Sequence, residues 1–121
     1  MFLATANKSR QLLCVNYIGR VVPGELERAR ADVESLLADL SPGFRLLADL
    51  SQLEFMDLKC VTEVGRTMDL FSEAGVGMIV RVVPDPTKDI GLNILALFHY
   101  PHRPPIMTCD TLAEAIRTLS L

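Results

Sequence analysis

Four places in this sequence carry side chains able to do chemistry. Cys60 follows Lys59 at what the hydrophobic spacing predicts to be a helix start, where the positive helix end and the neighbouring ammonium favour a thiolate. His99 and His102 lie with Arg103 in FHYPHRPP, a set that could ligate a metal or hold a phosphate. Asp85 and Asp89, in VVPDPTKD, could form an acid–base pair. Asp57, in ADLSQLEFMDLKC (Ala48 to Cys60), stands where a buried strand ends, the chain turns and a helix opens.

Each also has a simpler structural reading. Cys60 has no general base in its local sequence, so packing explains it without reactivity, and it stays the sole candidate reactive thiol. No Asp, Glu or Cys stands at ligand spacing from the histidines, so a solvated helix-end loop is expected and no metal. Asp85 and Asp89 suit a turn and a helix start. Asp57 can accept hydrogen bonds from the first amides of its helix, which contributes about 1 kcal/mol, and it could also mark a partner-facing helix end. Cys14 and Cys109 read as small core residues. The three cysteines make no CxxC pair and are expected to be reduced thiols. The glycines are dispersed and form no phosphate-cradling loop. With no triad, metal cluster or paired carboxylate left, neither an enzyme nor a cofactor is expected.

The elements that would position these residues follow from composition and pattern. At 121 residues, 50% hydrophobic and 22% charged, the chain has the make-up of one ordinary globular domain. Twelve Lys+Arg against fifteen Asp+Glu give a net charge of −3, and the basic residues are scattered, which argues against a nucleic-acid partner. No apolar run approaches the roughly 18 residues of a membrane span. The start MFLATANKSRQ has its charges after a short apolar stub, the reverse of a signal peptide, so a cytoplasmic protein with no membrane association is expected.

Along the chain, residues 1–10 form an N-terminal segment with a weak edge-strand signal at Phe2–Thr5, and residues 11–121 form the domain. QLLCVNYIG alternates as a strand covered on both faces. PGELERARADVESLLADL predicts a helix from about Gly24 to Leu40, with Pro23 in its first turn and Ser41-Pro42-Gly43 ending it. FRLLADL is a short buried run. Leu58, Val61, Val64, Gly65, Met68 and Phe71 recur as a second amphipathic helix ending at Ala74-Gly75. GMIVRVVP is a strand, DPTKDIGLNILALFHY a third helix, PIMTC a short strand, and DTLAEAIRTL a last helix expected to be capped by Asp110. This alternation predicts an α/β fold: a mixed, mostly parallel sheet of four to five strands with about four helices.

From about Leu12 to Leu119 the chain resembles a STAS domain, the family of sulfate-transporter cytoplasmic segments and bacterial anti-sigma-factor antagonists. YIGRVVPGELERARADVESLL is similar to the family's strand, G-x-L and helix opening. LLADLSQLEFMD is similar to its strand ending in D-L-S-x-V-x-F-I-D, and FSEAGVGMIVRVV to its helix, glycine and strand. The resemblance implies a regulatory module in which a kinase and a phosphatase act on a serine immediately after the aspartate matching Asp57. Leu58 stands at that position, with Lys59 and Cys60 in place of small residues, so the fold carries over and the serine switch does not. A divergent branch of antagonist-like proteins, similar to both STAS and lipid-carrier domains, also lacks the serine.

In the third helix Ile90, Ile94, Leu97 and Phe98 make one apolar face, expected to meet the sheet, while Leu92, Leu95 and Ala96 fall on others. A helix apolar nearly all round needs cover on both sides. A dimer partner, another protein and an apolar ligand are all open. The first expectation is therefore a non-catalytic interaction module that docks Asp57, Leu58, Lys59, Thr62, Leu92 and Leu95. Its partner would be a kinase-like anti-sigma factor or a larger signalling complex, with a two-fold homodimer formed through Leu92 and Leu95. Thr62 is the candidate substitute phosphosite. The alternative is a carrier or sensor of a small apolar ligand, held between the third helix and the sheet by Leu92, Leu95, Phe98 and Met107.

Overall fold

The computed structural model describes residues 1–121. Phe2–Asn7 (β1) and Leu12–Tyr17 (β2) form an antiparallel hairpin, followed by Gly19–Val21 (β3) and the helix Pro23–Leu37 (α1). Arg45–Asp49 (β4), Leu53–Met56 (β5), Cys60–Glu73 (α2), Met78–Val82 (β6), Pro86–His99 (α3), Ile106–Cys109 (β7) and Leu112–Thr118 (α4) complete the chain. The sheet order is β1-β2-β4-β6-β7, and every pairing after the first is parallel. The α/β fold, with four helices and a five-stranded mixed, mostly parallel sheet, is the architecture expected from the alternation of elements.

The strand period of two divides the core between two faces. Leu13, Val15, Leu46, Ala48 and Ile79 point to one side, where they pack with Leu26 and Val33 of α1, Val64, Met68 and Phe71 of α2, and Ala96 of α3. Leu12, Leu47, Val80 and Val82 point to the other side and meet only Ala115 of α4, Leu119 and Cys109. Strands covered on both faces explain the nearly unbroken apolar runs LLCV, RLLA and MIVRV.

Several boundaries differ from the sequence expectation. α1 ends at Leu37 rather than Leu40, because the backbone passes into turns in which Leu40 N–H donates to Leu37 O at 3.0 Å. β3 and β5 pair in parallel as a separate two-stranded sheet, a feature the sequence did not suggest, since three- and four-residue strands carry too little periodicity. Thr111, not Asp110, caps α4: its hydroxyl oxygen accepts from Glu114 N–H at 3.1 Å, while the Asp110 amide donates to the Glu114 carboxylate at 3.2 Å. Asp85 caps α3 by accepting from Thr87 N–H at 3.0 Å.

The largest correction concerns the facing of α3. Ile90, Ile94, Leu97 and Phe98 point outward, with Leu97 69% and Phe98 78% exposed. Leu92, Leu95 and Ala96 pack against the core. The cause is Arg81 in the middle of β6, 2% exposed. Its guanidinium donates to Asn93 Oδ1 at 2.7 Å and to the Leu92 carbonyl at 3.4 Å, and lies 3.5 Å from the Asp89 carboxylate. A buried cation left without acceptors costs several kcal/mol, which exceeds the roughly 1.5–3 kcal/mol gained by burying one aliphatic side chain. Asp89 and Asn93 are turned to meet that guanidinium, Asn93 from the exposed edge of the helix, and the Ile90–Phe98 stripe turns to water.

Candidate interaction site

The chain leaves β5 and turns at Asp57, whose Oδ1 accepts from Lys59 N–H at 2.8 Å while its carbonyl accepts from Cys60 N–H at 2.9 Å. The carboxylate thus closes an Asx turn onto the residue before α2, whose own first amides take no side-chain cap, so the helix cap expected of Asp57 is displaced one step outside the helix. This tight turn projects the next side chain away from the body: Leu58 is 86% exposed. Lys59, Val61 and Thr62 are exposed beside it.

Between the start of α2 and α3 lies an open cleft of about 340 Å³. Leu50, Leu53, Met56, Val64, Leu92 and Leu95 line it, and Asp57, Leu58, Val61 and Lys88 are also among its lining residues. Asp57, Leu58, Leu92 and Leu95 are thus brought to one place, whereas Lys59, just before α2, and Thr62, in its first turn, lie outside the cleft lining. Phe98 and Met107, expected to line a pocket between α3 and the sheet, are exposed and take no part. Under α3 lies a cavity of about 30 Å³ beside Tyr17, Arg81 and Tyr100, and between α3 and β7 an open cleft of about 440 Å³ lined by Ile94, Ala96, Leu97, Tyr100, Pro104 and Ile106.

Cys60 is fully buried, and its Sγ lies 3.5 Å from the Val21 carbonyl. Burial, aided by the negative charge of Asp57, pushes its thiol up rather than down, opposite to the lowered value expected beside Lys59. Cys109 is also buried and Cys14 partly so. His99 and His102 are committed to different partners. His99 Nδ1 lies 2.7 Å from Asp69 Oδ1, whereas His102 Nε2 donates to the Val76 carbonyl at 2.9 Å. No group of His, Cys, Asp and Glu side chains converges as a metal site.

Sequence reasoning passed over Arg81, which organises α3, and Glu63, a 9%-exposed carboxylate on α2 lying 3.6 Å from Arg30 of α1 and 3.4 Å from Arg66. The signal for Arg81 was present: a single charge inside the apolar strand MIVRV. Val61 was read only as a core position, yet it is 45% exposed.

The arrangement presents an apolar surface at an exposed helix start. No family model matches the sequence, and no curated protein matches it. Solved structures do. SpoIIAA, an anti-sigma factor antagonist in its unphosphorylated form, is 21% identical, with 99% of this chain and 98% of that chain covered and a TM-score of 0.63. A Shewanella loihica protein with a SpoIIAA-like fold is 12% identical, with 98% and 92% covered and a TM-score of 0.73. An anti-sigma factor antagonist from Mycobacterium paratuberculosis is 21% identical, with 100% and 94% covered and a TM-score of 0.58. The protein therefore has the SpoIIAA-like, STAS-like fold that the sequence resemblance implied.

Proposed function

We propose that this chain is a non-catalytic regulatory module that works by binding another protein at the head of α2. Asp57, Leu58, Lys59 and Thr62 form its docking edge, with the cleft walled by Leu92 and Leu95 beside them. The observation that carries the reading is Leu58. A leucine 86% exposed at the tip of a capped turn, next to an apolar cleft, has nothing to gain inside its own fold. The similar proteins named as anti-sigma factor antagonists support a regulatory partner, such as a kinase-like anti-sigma factor or a larger signalling complex. SpoIIAA is also known in a phosphorylated form. Leu58 offers no acceptor oxygen at the position that the resemblance aligns with the serine, so the docking proposed here is constitutive, and Thr62 is the one substitute phosphosite. The protein acts in the cytoplasm under this reading.

A photo-crosslinking amino acid placed at Leu58 in the native cell tests the proposal. One recurrent protein should be captured there, and not from Glu27 on α1, with capture lost when Val61→Asp is added. Equal capture at both positions, or none at Leu58, would refute it. Phosphopeptide mapping after kinase treatment decides the fate of Thr62.

The cleft supports a second reading, since about 340 Å³ with apolar walls lies within the usual range for small-ligand sites. Native mass spectrometry of protein from its own host should then show a bound apolar molecule, removed by Leu92→Gln. A homodimer through Leu92 and Leu95 is not proposed, because both side chains pack inward.

A further inference from the structure

The amphipathicity of α3 is inverted. Its polar side chains beyond the cap are used within the fold: Asp89 and Asn93 on Arg81, Asp89 also on the Thr108 hydroxyl, and His99 on Asp69. Its outward arc holds Ile90, Gly91, Ile94, Leu97 and Phe98, with the Thr87 hydroxyl among them, the exposed Asn93 at its edge and no charge over three turns. Helices on a water-facing surface normally show the opposite arrangement.

Gly91 is the second observation. It is an exposed glycine inside a helix, a position that favours alanine by roughly 1 kcal/mol. A Cβ built on it meets no atom within 4 Å, so nothing in the fold requires the missing side chain. The outward arc thus carries an empty seat at Gly91 and, seven residues and about two turns further on, its largest projecting side chain, Phe98.

We infer that the outward face of α3 docks on the same face of a second copy of this chain, antiparallel about a two-fold axis near Ile94. That arrangement puts Phe98 of each copy over Gly91 of the other and Ile94 at the centre, so one patch supplies both knob and seat. The four exposed side chains amount to roughly 500 Å² of apolar surface per copy, below the roughly 800 Å² per partner of a standard interface, so the dimer is dissociable. A lipid surface fits less well: the net charge is −3, and the polar side of α3 presents Asp89 and Asn93 to the protein rather than a row of lysines to headgroups. Gly91 and Ile94 also line the cleft beside Leu58, so the two-fold contact covers one rim of that cleft and competes with a partner seated in it.

Sedimentation velocity over low-micromolar to near-millimolar protein tests this. The native chain should pass from monomer to dimer. Leu97→Glu should weaken the dimer at least about tenfold. Gly91→Leu, whose Cβ meets no atom of the fold, should do the same while circular dichroism shows an unchanged or higher melting temperature. Ile94→Cys should give a disulfide-linked dimer under mild oxidant, and Glu27→Cys should not. A native chain monomeric throughout overturns the inference, as does a dimer indifferent to both surface variants. Flotation of a monomeric chain with phosphatidylcholine or anionic vesicles, lost in Leu97→Glu, would overturn it in favour of a membrane contact.

Discussion

The imidazole of His99 lies against the backbone of Gly65, so close that a Cβ on Gly65 would stand 2.5 Å from Nε2. The ring is held there by Asp69, 2.7 Å from Nδ1 and one helical turn beyond Gly65. This is where the end of α3 rests on α2. An alanine inside a helix ordinarily gains up to about 1 kcal/mol over glycine, but Gly65→Ala must push the ring off its carboxylate. We expect a net loss of about 1–2 kcal/mol, typical of an overpacked site. In a His99→Ala background the same change should become stabilising. Urea unfolding of the double-mutant cycle measures the coupling, and additive effects would rule out the contact.

Arg81 and its acceptors form the only buried ionic cluster under α3. Burial lowers the affinity of Arg81 for its proton, and Asp89 opposes that shift. Asp89→Ala should cost about 3 kcal/mol by leaving the guanidinium short of acceptors. Arg81→Met, which removes the charge and keeps much of the volume, should cost less. If the order is reversed in chemical denaturation, Asp89 does not compensate Arg81.

Asp57→Ala removes the acceptor for Lys59 N–H and should lower stability by about 1 kcal/mol with the fold kept. Denaturant melting monitored by circular dichroism checks it. A loss near zero would mean that water replaces the carboxylate at no cost and that the aspartate matters only to a partner.

Tyr17 and Tyr100 are buried, and loss of hydration holds both phenols above their ordinary value of 10.0, with the positive charge of Arg81 opposing the shift. The folded protein keeps these protons at pH values where the unfolded chain has released them. Stability from this source is therefore complete below pH 10 and falls as the pH rises past it, by up to roughly 1.4 kcal/mol per pH unit for each tyrosine. Urea midpoints at pH 9, 10, 11 and 12 should show the decline, and Tyr17→Phe should make it shallower. An unchanged slope in that variant would mean that Tyr17 ionises as freely in the fold as out of it.

Regular elements were legible because their periods are long: α2 repeats Val64, Met68 and Phe71 over two turns, and β4 and β6 are apolar on both faces. The facing of α3 was not legible, because Ile90, Ile94, Leu97 and Phe98 make as good a helical stripe as any buried one. Only Arg81, some ten residues away and in a different element, decides which side turns inward. The approach of Leu92 and Leu95 to Leu58 was likewise invisible, since it depends on how α3 lies against α2. The tight turn at Asp57 and the packing of Cys60 were readable from residue types, but the seat of its thiol on the Val21 carbonyl of the small β3–β5 sheet was not.

The strand order β2-β4-β6-β7 is also the order in which those strands occur in the chain. Each parallel strand can therefore join an edge already laid down, so the sheet can grow outward as the polypeptide leaves the ribosome. The face carrying Leu12, Leu47, Val80 and Val82 is the exception. It is complete only when Leu119, 1% exposed, and Ala115 arrive from α4. Until those last residues emerge, a nascent chain presents an oily sheet face, and that interval is when a chaperone has something to hold.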